Sequence, residues 1–147
     1  MNRNIIFLGI LFLLGGIVNS QAQVKTKPKS IISTTASIKT YYDKAALDAM
    51  QKGELIGLYQ ERMKLLVFTM PYIALANKPG TTMTDIGIPD TSENRKGLDV
   101  EQENSGIFLN GTVDFLSKML PYADKSSLVT SILFYENVLR ELHVMNE

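Results

Sequence analysis

Apolar residues recur at steps of three and four along several segments of this 147-residue chain, and this spacing constrains its fold more than any other feature. Such steps place side chains on one face of an α-helix, because the helix has about 3.6 residues per turn. No segment alternates apolar and polar residues over the length of a strand, so we expect little or no sheet. The clearest stripe lies in the last segment and consists of Leu128, Ile132, Tyr135, Leu139 and Leu142.

Residues 54–77 form the first strong helical segment. Its apolar face consists of Leu55, Tyr59, Leu66, Met70 and Ile73, and Leu58, Leu65 and Val67 widen it. Pro71 lies inside this segment, and because proline has no backbone N–H we expect a kink there. The run Asn77, Lys78, Pro79 and Gly80 then ends the helix.

Capping residues predict where other helices begin. Asp43 precedes a short stretch rich in alanine and is a suitable N-cap. Gly53 either closes this short helix or lies within a longer one. Asp90 followed by Glu93 has the pattern of a capping box, which predicts a long helix over residues 91–119.

The second half of that long helix is amphipathic. One face carries Phe108, Phe115, Met119 and Tyr122, with Leu109, Leu116 and Leu120 beside it. We expect the face that carries the phenylalanines to pack against the other helices. Pro121 stops the helix, and Asp124 is placed to cap the last one after a very short turn. This short connection predicts that the last two helices lie antiparallel and adjacent.

The first 22 residues have the layout of a secretory signal. Arg3 precedes an apolar run over residues 5–18, and small residues follow up to Ala22. The apolar run is shorter than the roughly 20 residues that a membrane span needs, although an uncleaved anchor is the alternative. The chain has no cysteine, so it can carry neither a lipoprotein anchor nor a disulfide. We therefore expect a periplasmic or secreted protein that begins near Gln23.

Together these features predict an all-α fold: a small antiparallel helical bundle of three long helices and one short N-terminal helix, after a cleaved signal peptide. Residues 1–22 are the signal peptide, residues 23–40 a flexible, basic lead-in rich in serine and threonine, and residues 41–147 the helical bundle domain. The lead-in is either a solvated tether or an arm that touches an anionic surface.

Charge and residue types narrow the function. The chain has 15 basic and 15 acidic residues. Without Arg3 the mature chain has no basic excess, so we expect no nucleic acid partner, and none of its segments is apolar enough for a transmembrane span. A metal site needs several histidine or cysteine ligands, and the chain has only His143. A Ser-His-acid triad would have to use His143 on the final turn of the last helix, where helices fray. We therefore expect no metal, no cofactor and no catalytic residues. Three carboxylates lie within apolar helical segments and are the candidates for acid–base chemistry: Glu61, Asp114 and Glu136. Each has a basic neighbour, so we expect all three at the surface.

Two groups of residues are candidates for binding a partner. Tyr41 and Tyr42 stand together before the first helix and form either a platform for a partner or a staple that holds the lead-in. Met83, Ile86 and Ile88 lie in the long loop over residues 79–90. They either cover one end of the bundle or form a docking patch.

The sequence favours a non-catalytic role, in which an exported helical bundle binds another protein in the periplasm or cell envelope as an accessory subunit or as an inhibitor or immunity protein. The first alternative is a carrier of a small apolar ligand in a cavity lined by some of the seven methionines. The weakest alternative is a hydrolase that uses carboxylates alone.

Overall fold

The computed structural model describes residues 28–76 and 78–144, with only the backbone of residues 143 and 144. Within these residues four α-helices follow one another: α1 (Lys44–Ala49), α2 (Lys52–Thr69), α3 (Ser92–Met119) and α4 (Lys125–Val144). Short 3-10 helices span Met70–Tyr72, Thr84–Ile86 and Leu120–Tyr122. The described residues form no strand, only one isolated bridge, so the chain is all-α as predicted. The predicted signal peptide lies outside the described residues.

The first two helices begin with side-chain caps. The carboxylate of Asp43 accepts a hydrogen bond from the backbone N–H of Ala46 at 2.8 Å, which confirms the predicted N-cap of α1. Helix α2 begins after Gln51, whose backbone N–H donates to the carboxylate of Glu54 at 2.8 Å. Gly53 therefore lies within α2 and does not close α1.

The cap of α3 differs by one residue from the prediction. The hydroxyl of Thr91 accepts the backbone N–H of Asn94 at 3.1 Å, so Thr91 is the N-cap. Asp90, which we expected in this role, forms an ion pair with Arg95 at 3.3 Å instead. Threonine and aspartate are both good N-caps, so the sequence pattern alone could not separate these two neighbours.

Proline ends two of the helices. Pro71 and Pro121 each lie second in a 3-10 helix that follows directly on α2 or α3. The expected kink inside residues 54–77 is therefore wrong, because α2 ends at Thr69. A proline in the interior of an α-helix removes a hydrogen bond and its ring clashes with the carbonyl four residues earlier. Here the chain changes to a 3-10 helix at the residue before each proline, so neither cost arises.

Helix α2 lies at the centre of the fold. Gln60 bonds Ser117 of α3 at 2.9 Å, and Lys52 reaches the carbonyl of Pro121 just beyond α3. The residue order is thus reversed, and α2 and α3 run antiparallel. The hydroxyl of Tyr135 on α4 donates to that of Tyr59, and Glu136 on α4 pairs with Arg62. Residue numbers thus rise in the same direction on both helices, so α2 and α4 run parallel. We expected α3 and α4 to lie adjacent, but among the described residues each packs mainly against α2.

Two hydrophobic clusters stabilise this arrangement. The first joins α1, α2 and α4 with the end of α3, and it confirms the stripe predicted on α4. Burial of each such side chain stabilises the fold by about 1.5–3 kcal/mol. Its buried members are Leu47, Leu55, Leu120, Leu128, Val129 and Ile132.

The second cluster lies where residues 28–40 meet the loop before α3. The backbone N–H of Ile31 donates to the carbonyl of Thr81 at 2.8 Å, and that of Gly80 donates to Ile32 at 2.9 Å. Ile31 and Ile32 are buried there beside Tyr72. The described part of the predicted lead-in is thus packed against the domain, which differs from the expected flexible segment. Among the described helices, none has the length and apolar character of a membrane span.

Candidate functional site

Helix α3 has an inner and an outer apolar face, and the predicted packing face is the wrong one. Leu109 and Leu120 are buried, and Leu116 packs against the first cluster. Phe108 and Phe115, expected in the core, are 61% and 60% exposed. Adjacent residues on a helix differ by about 100° in direction, so both sets have helical spacing. The periodicity could not tell which of them faces α2.

The exposed residues lie along one side of α3 and of the 3-10 helix that follows it, and they are called here the outer face of α3. From Val100 to Met119 they span about 28 Å, since a helix rises by about 1.5 Å per residue. Each phenylalanine leaves about 120 Å² exposed, given about 200 Å² for a whole aromatic side chain. A patch of several such residues has the size of a typical interaction site. Its members are Val100, Ile107, Phe108, Phe115, Met119 and Tyr122.

A glycine interrupts this stripe at its centre. Gly111 lies between Phe108 and Phe115, one turn from each, and a side chain built there would meet nothing within 4 Å. The missing side chain leaves a notch between two exposed rings. Asp114 and Lys118 are exposed beside it. An apolar centre with a polar rim is the usual composition of a protein interface.

Exposure of a single aromatic residue is not unusual, so the grouping matters. Phe134 is 62% exposed on α4, which matches Phe108 and Phe115. It is the one large apolar side chain that α4 exposes among those the structure describes. Scattered exposed apolar residues are normal on proteins and need no partner. Phe134 therefore serves as an internal control for the outer face of α3.

A buried ion pair lies on the opposite side of α2. The guanidinium of Arg62 donates from Nε and Nη2 to Oε1 of Glu136, at 3.1 and 3.0 Å. The two residues are 2% and 0% exposed. The surface position expected for Glu136 is therefore wrong, whereas Glu61 and Asp114 are exposed as expected. Burial of a carboxylate is tolerated here because a cation and further donors meet it.

The ion pair also holds the segment before α1. Glu136 accepts the backbone N–H of Tyr42 at 2.9 Å through its other oxygen, and Arg62 donates to the carbonyl of Thr40 at 2.6 Å. Arg62 also pairs with Glu61. Arg140 lies 3.8 Å from Glu136, the i,i+4 contact that we expected to be solvated. All of these groups are committed to one another, so the cluster stabilises the fold and leaves no free acid.

A sequence signal for this pair existed and was missed. Arg62 lies seven residues after Leu55, and Glu136 lies four after Ile132. Both charges therefore fall within apolar stripes, on helices that face each other. A charge inside an apolar stripe indicates burial with a partner.

The predicted binding residues mostly pack against the protein. Tyr42 packs against the first cluster, and Met83 is buried in the second with Ile86 and Ile88 packed against it. The guanidinium of Arg140 lies 4.6 Å from the centre of the Tyr41 ring. Their role in binding a partner stays a prediction.

Tyr41 is also unusual in its hydroxyl, which is buried and has no hydrogen-bond partner in the described part of the chain. Burial raises the pKa of Tyr41. Within residues 28–76 and 78–144, no group of three or more acidic, histidine or cysteine side chains could hold a metal ion. The side chain of His143 lies outside the described residues.

Comparison with known proteins adds no relative, since no protein-family model, no curated protein and no solved structure matches the chain. The function is therefore inferred from the residues and geometry of the chain itself.

Proposed function

We propose that this chain is an exported, non-catalytic helical bundle that binds another protein in the periplasm or cell envelope through the outer face of α3. One observation carries the proposal: Phe108 and Phe115 are exposed two turns apart on one face of a helix whose other face is packed. Removing about 120 Å² of one ring from water contributes about 3 kcal/mol, at roughly 25 cal/mol per Å². A partner that covered both rings would gain this contribution from each of them.

The shape of the outer face indicates the kind of partner. It is long, narrow and helical, with aromatic residues at its centre and charges beside them. Such a face fits an apolar groove on another protein, as in helix-in-groove recognition. The notch at Gly111 would accept a side chain of that partner between the two rings. An accessory subunit and an inhibitor or immunity protein both meet this description.

Photocrosslinking tests this interface. A photoreactive phenylalanine analogue is placed at Phe108, Phe115 or Phe134 in separate variants, and cells that express them are irradiated. We expect the same discrete partner from the two α3 positions and none from Phe134, which is equally exposed. Equal products from all three positions, a product that contains only a second copy of this chain, or no product at all would contradict the proposal.

Export is tested separately. The charged start, the apolar run and Ala22 support cleavage before Gln23. Cell fractionation with N-terminal sequencing should find a periplasmic or secreted chain that begins at Gln23. An intact chain in the cytoplasm or held in the inner membrane would contradict export, without bearing on the α3 interface.

The two alternative functions find less support. A groove between residues 29–39 and α2 is lined by none of the methionines, so it differs from the methionine-lined cavity expected for an apolar carrier. Of the three carboxylates considered for hydrolysis, only Glu136 is buried, and both of its oxygens already accept hydrogen bonds. No observation favours either role over protein binding.

A further inference from the structure

A second surface of the molecule has the features of a small-molecule site. Residues 29–39, called here the strap, pass over one face of α2 and leave a groove of about 950 Å³ beneath them. Gly57 contributes to the open space, because a side chain built there would meet nothing within 4 Å. Ligand pockets commonly measure about 300–1,000 Å³.

The strap is fixed at both ends, so the groove is a formed feature of the fold. At one end the side-chain amide of Gln102 donates to the carbonyls of Ser30 and Ile31, at 3.0 and 3.1 Å. At the other end Arg62 holds the carbonyl of Thr40. Between these anchors Ile32 is buried and Ala36 packs against the second cluster, whereas residues 33–35 are exposed. A preformed groove binds a ligand without the entropic cost of ordering its walls.

The lining of the groove combines apolar and polar side chains. Leu65, Phe68 and Tyr72 contribute apolar surface, and Lys39, Lys64 and the serine and threonine residues of the strap contribute polar groups. An elongated ligand with an apolar chain and a polar head group would match both kinds of surface.

The groove carries a net positive charge. Lys39 and Lys64 form no ion pair or hydrogen bond with any residue of the described part of the chain. The third lysine of the lining, Lys29, is paired with Asp99, whereas the acid Glu61 contacts Arg62 and shares the charge of that residue with Glu136. Two unpaired cations therefore outweigh one partly compensated acid at the groove, which favours an anionic head group.

We propose that the strap groove binds a single-chain fatty acid, with its carboxylate between Lys39 and Lys64 and its acyl chain along Leu65 and Phe68. This site is separate from the outer face of α3 and does not depend on the protein partner. A neutral ligand would leave both lysines unpaired, and a cationic one would be repelled. The apolar side chains of the lining favour an acyl chain over a small hydrophilic anion.

Calorimetric titration of the purified protein tests the site. Dodecanoate is the probe, with dodecanol and dodecyltrimethylammonium as ligands of equal chain length but different charge. For a ligand of this size we expect a dissociation constant between about 10 µM and about 1 mM. The neutral and cationic ligands should bind at least tenfold more weakly. Equal binding of dodecanoate and dodecanol, or no binding of dodecanoate, would overturn the proposal.

Two pairs of variants locate the binding. K39Q/K64Q should weaken dodecanoate about tenfold, since exposed charge contacts are individually modest. K96Q/K118Q removes the same charge from exposed positions on α3 and should leave affinity unchanged. G57L should fill the groove and abolish binding, whereas G53L on the same helix should not. Leucine is a better helix former than glycine, so both glycine variants should melt at higher temperature.

A sedimentation experiment distinguishes a free fatty acid from a membrane lipid as the ligand of the two lysines. Vesicles of phosphatidylcholine with anionic phosphatidylglycerol are sedimented with the protein, with and without dodecanoate. The proposal predicts no sedimentation that depends on Lys39 and Lys64. If K39Q/K64Q abolishes vesicle binding but leaves dodecanoate affinity unchanged, the lysines recognise a membrane surface and the fatty acid site is refuted.

Discussion

The buried pair of Arg62 and Glu136 should be strongly coupled, and this can be measured. Arg62→Met leaves a carboxylate at 0% exposure with only the N–H of Tyr42 and the more distant Arg140 beside it. Removing one member of a buried ion pair costs about 3–5 kcal/mol. Glu136→Leu leaves a buried guanidinium that keeps Thr40 and Glu61, so we expect a smaller loss of about 2–3 kcal/mol.

The double variant, Arg62→Met with Glu136→Leu, separates pairing from packing. It removes both charges and substitutes apolar side chains of similar size, a change that is often close to neutral. The N–H of Tyr42 loses its acceptor, so we expect a net loss of about 1–2 kcal/mol. The double variant should therefore be more stable than Arg62→Met alone, with a coupling energy of about 5 kcal/mol between the two sites.

Urea unfolding followed by circular dichroism is the assay. With a slope of about 2 kcal/mol per molar urea, a loss of 4 kcal/mol lowers the midpoint by about 2 M. Lys44→Met, which removes an exposed ion pair with Asp48, is the control and should cost less than about 1 kcal/mol. If Arg62→Met does not fold, recovery of folding in the double variant still tests the coupling. Additive losses would refute the reasoning.

Three further predictions concern single groups. Burial and the hydroxyl of Tyr59 raise the pKa of Tyr135 to about 12. The tyrosine hydroxyl of the unfolded chain loses its proton near pH 10. The contribution of Tyr135 to stability is therefore complete below pH 10 and is lost as the pH rises through the folded pKa. The urea midpoint should fall over this range, and it should fall by a smaller amount in Tyr135→Phe. Tyr41→Phe removes a buried, unpaired hydroxyl and should raise stability by about 1 kcal/mol in the same assay. A loss of stability would show that the hydroxyl has a hydrogen-bond partner in solution. Asp43→Ala removes the cap of α1 and should cost about 1 kcal/mol; an unchanged midpoint would show that α1 does not need it.

Helix identity was predictable because it depends on local spacing. The stripe of Leu128 and Ile132 and the cap at Asp43 use residues within a few positions of one another. Such interactions form largely within one segment, so the sequence contains what is needed to recognise them. The disturbance of the helix at Pro71 and Pro121 was also predictable from local sequence. Whether the helix bends or ends at a proline depended on the conformation of the residues after it.

The candidate sites were predictable only in part. That the segment around Phe108 is amphipathic follows from the sequence, but the side that meets α2 was decided by packing between distant segments. Leu109 and Leu116 fill the space beside α2, and the phenylalanines are left outside. The groove under the strap likewise depends on contacts between distant segments, such as the hydrogen bonds from Gln102 to the carbonyls of Ser30 and Ile31.

The sequence by itself determined that the chain is helical, where its helices lie and that it forms no disulfide, because these properties depend on spacing, capping and residue type. Only the tertiary structure decided which stripe of α3 faces solvent and which charge pairs are buried. The physical reason is that burial is a property of contacts between segments. Arg62 and Glu136 lie 74 residues apart in the chain and acquire their roles only when α2 and α4 meet.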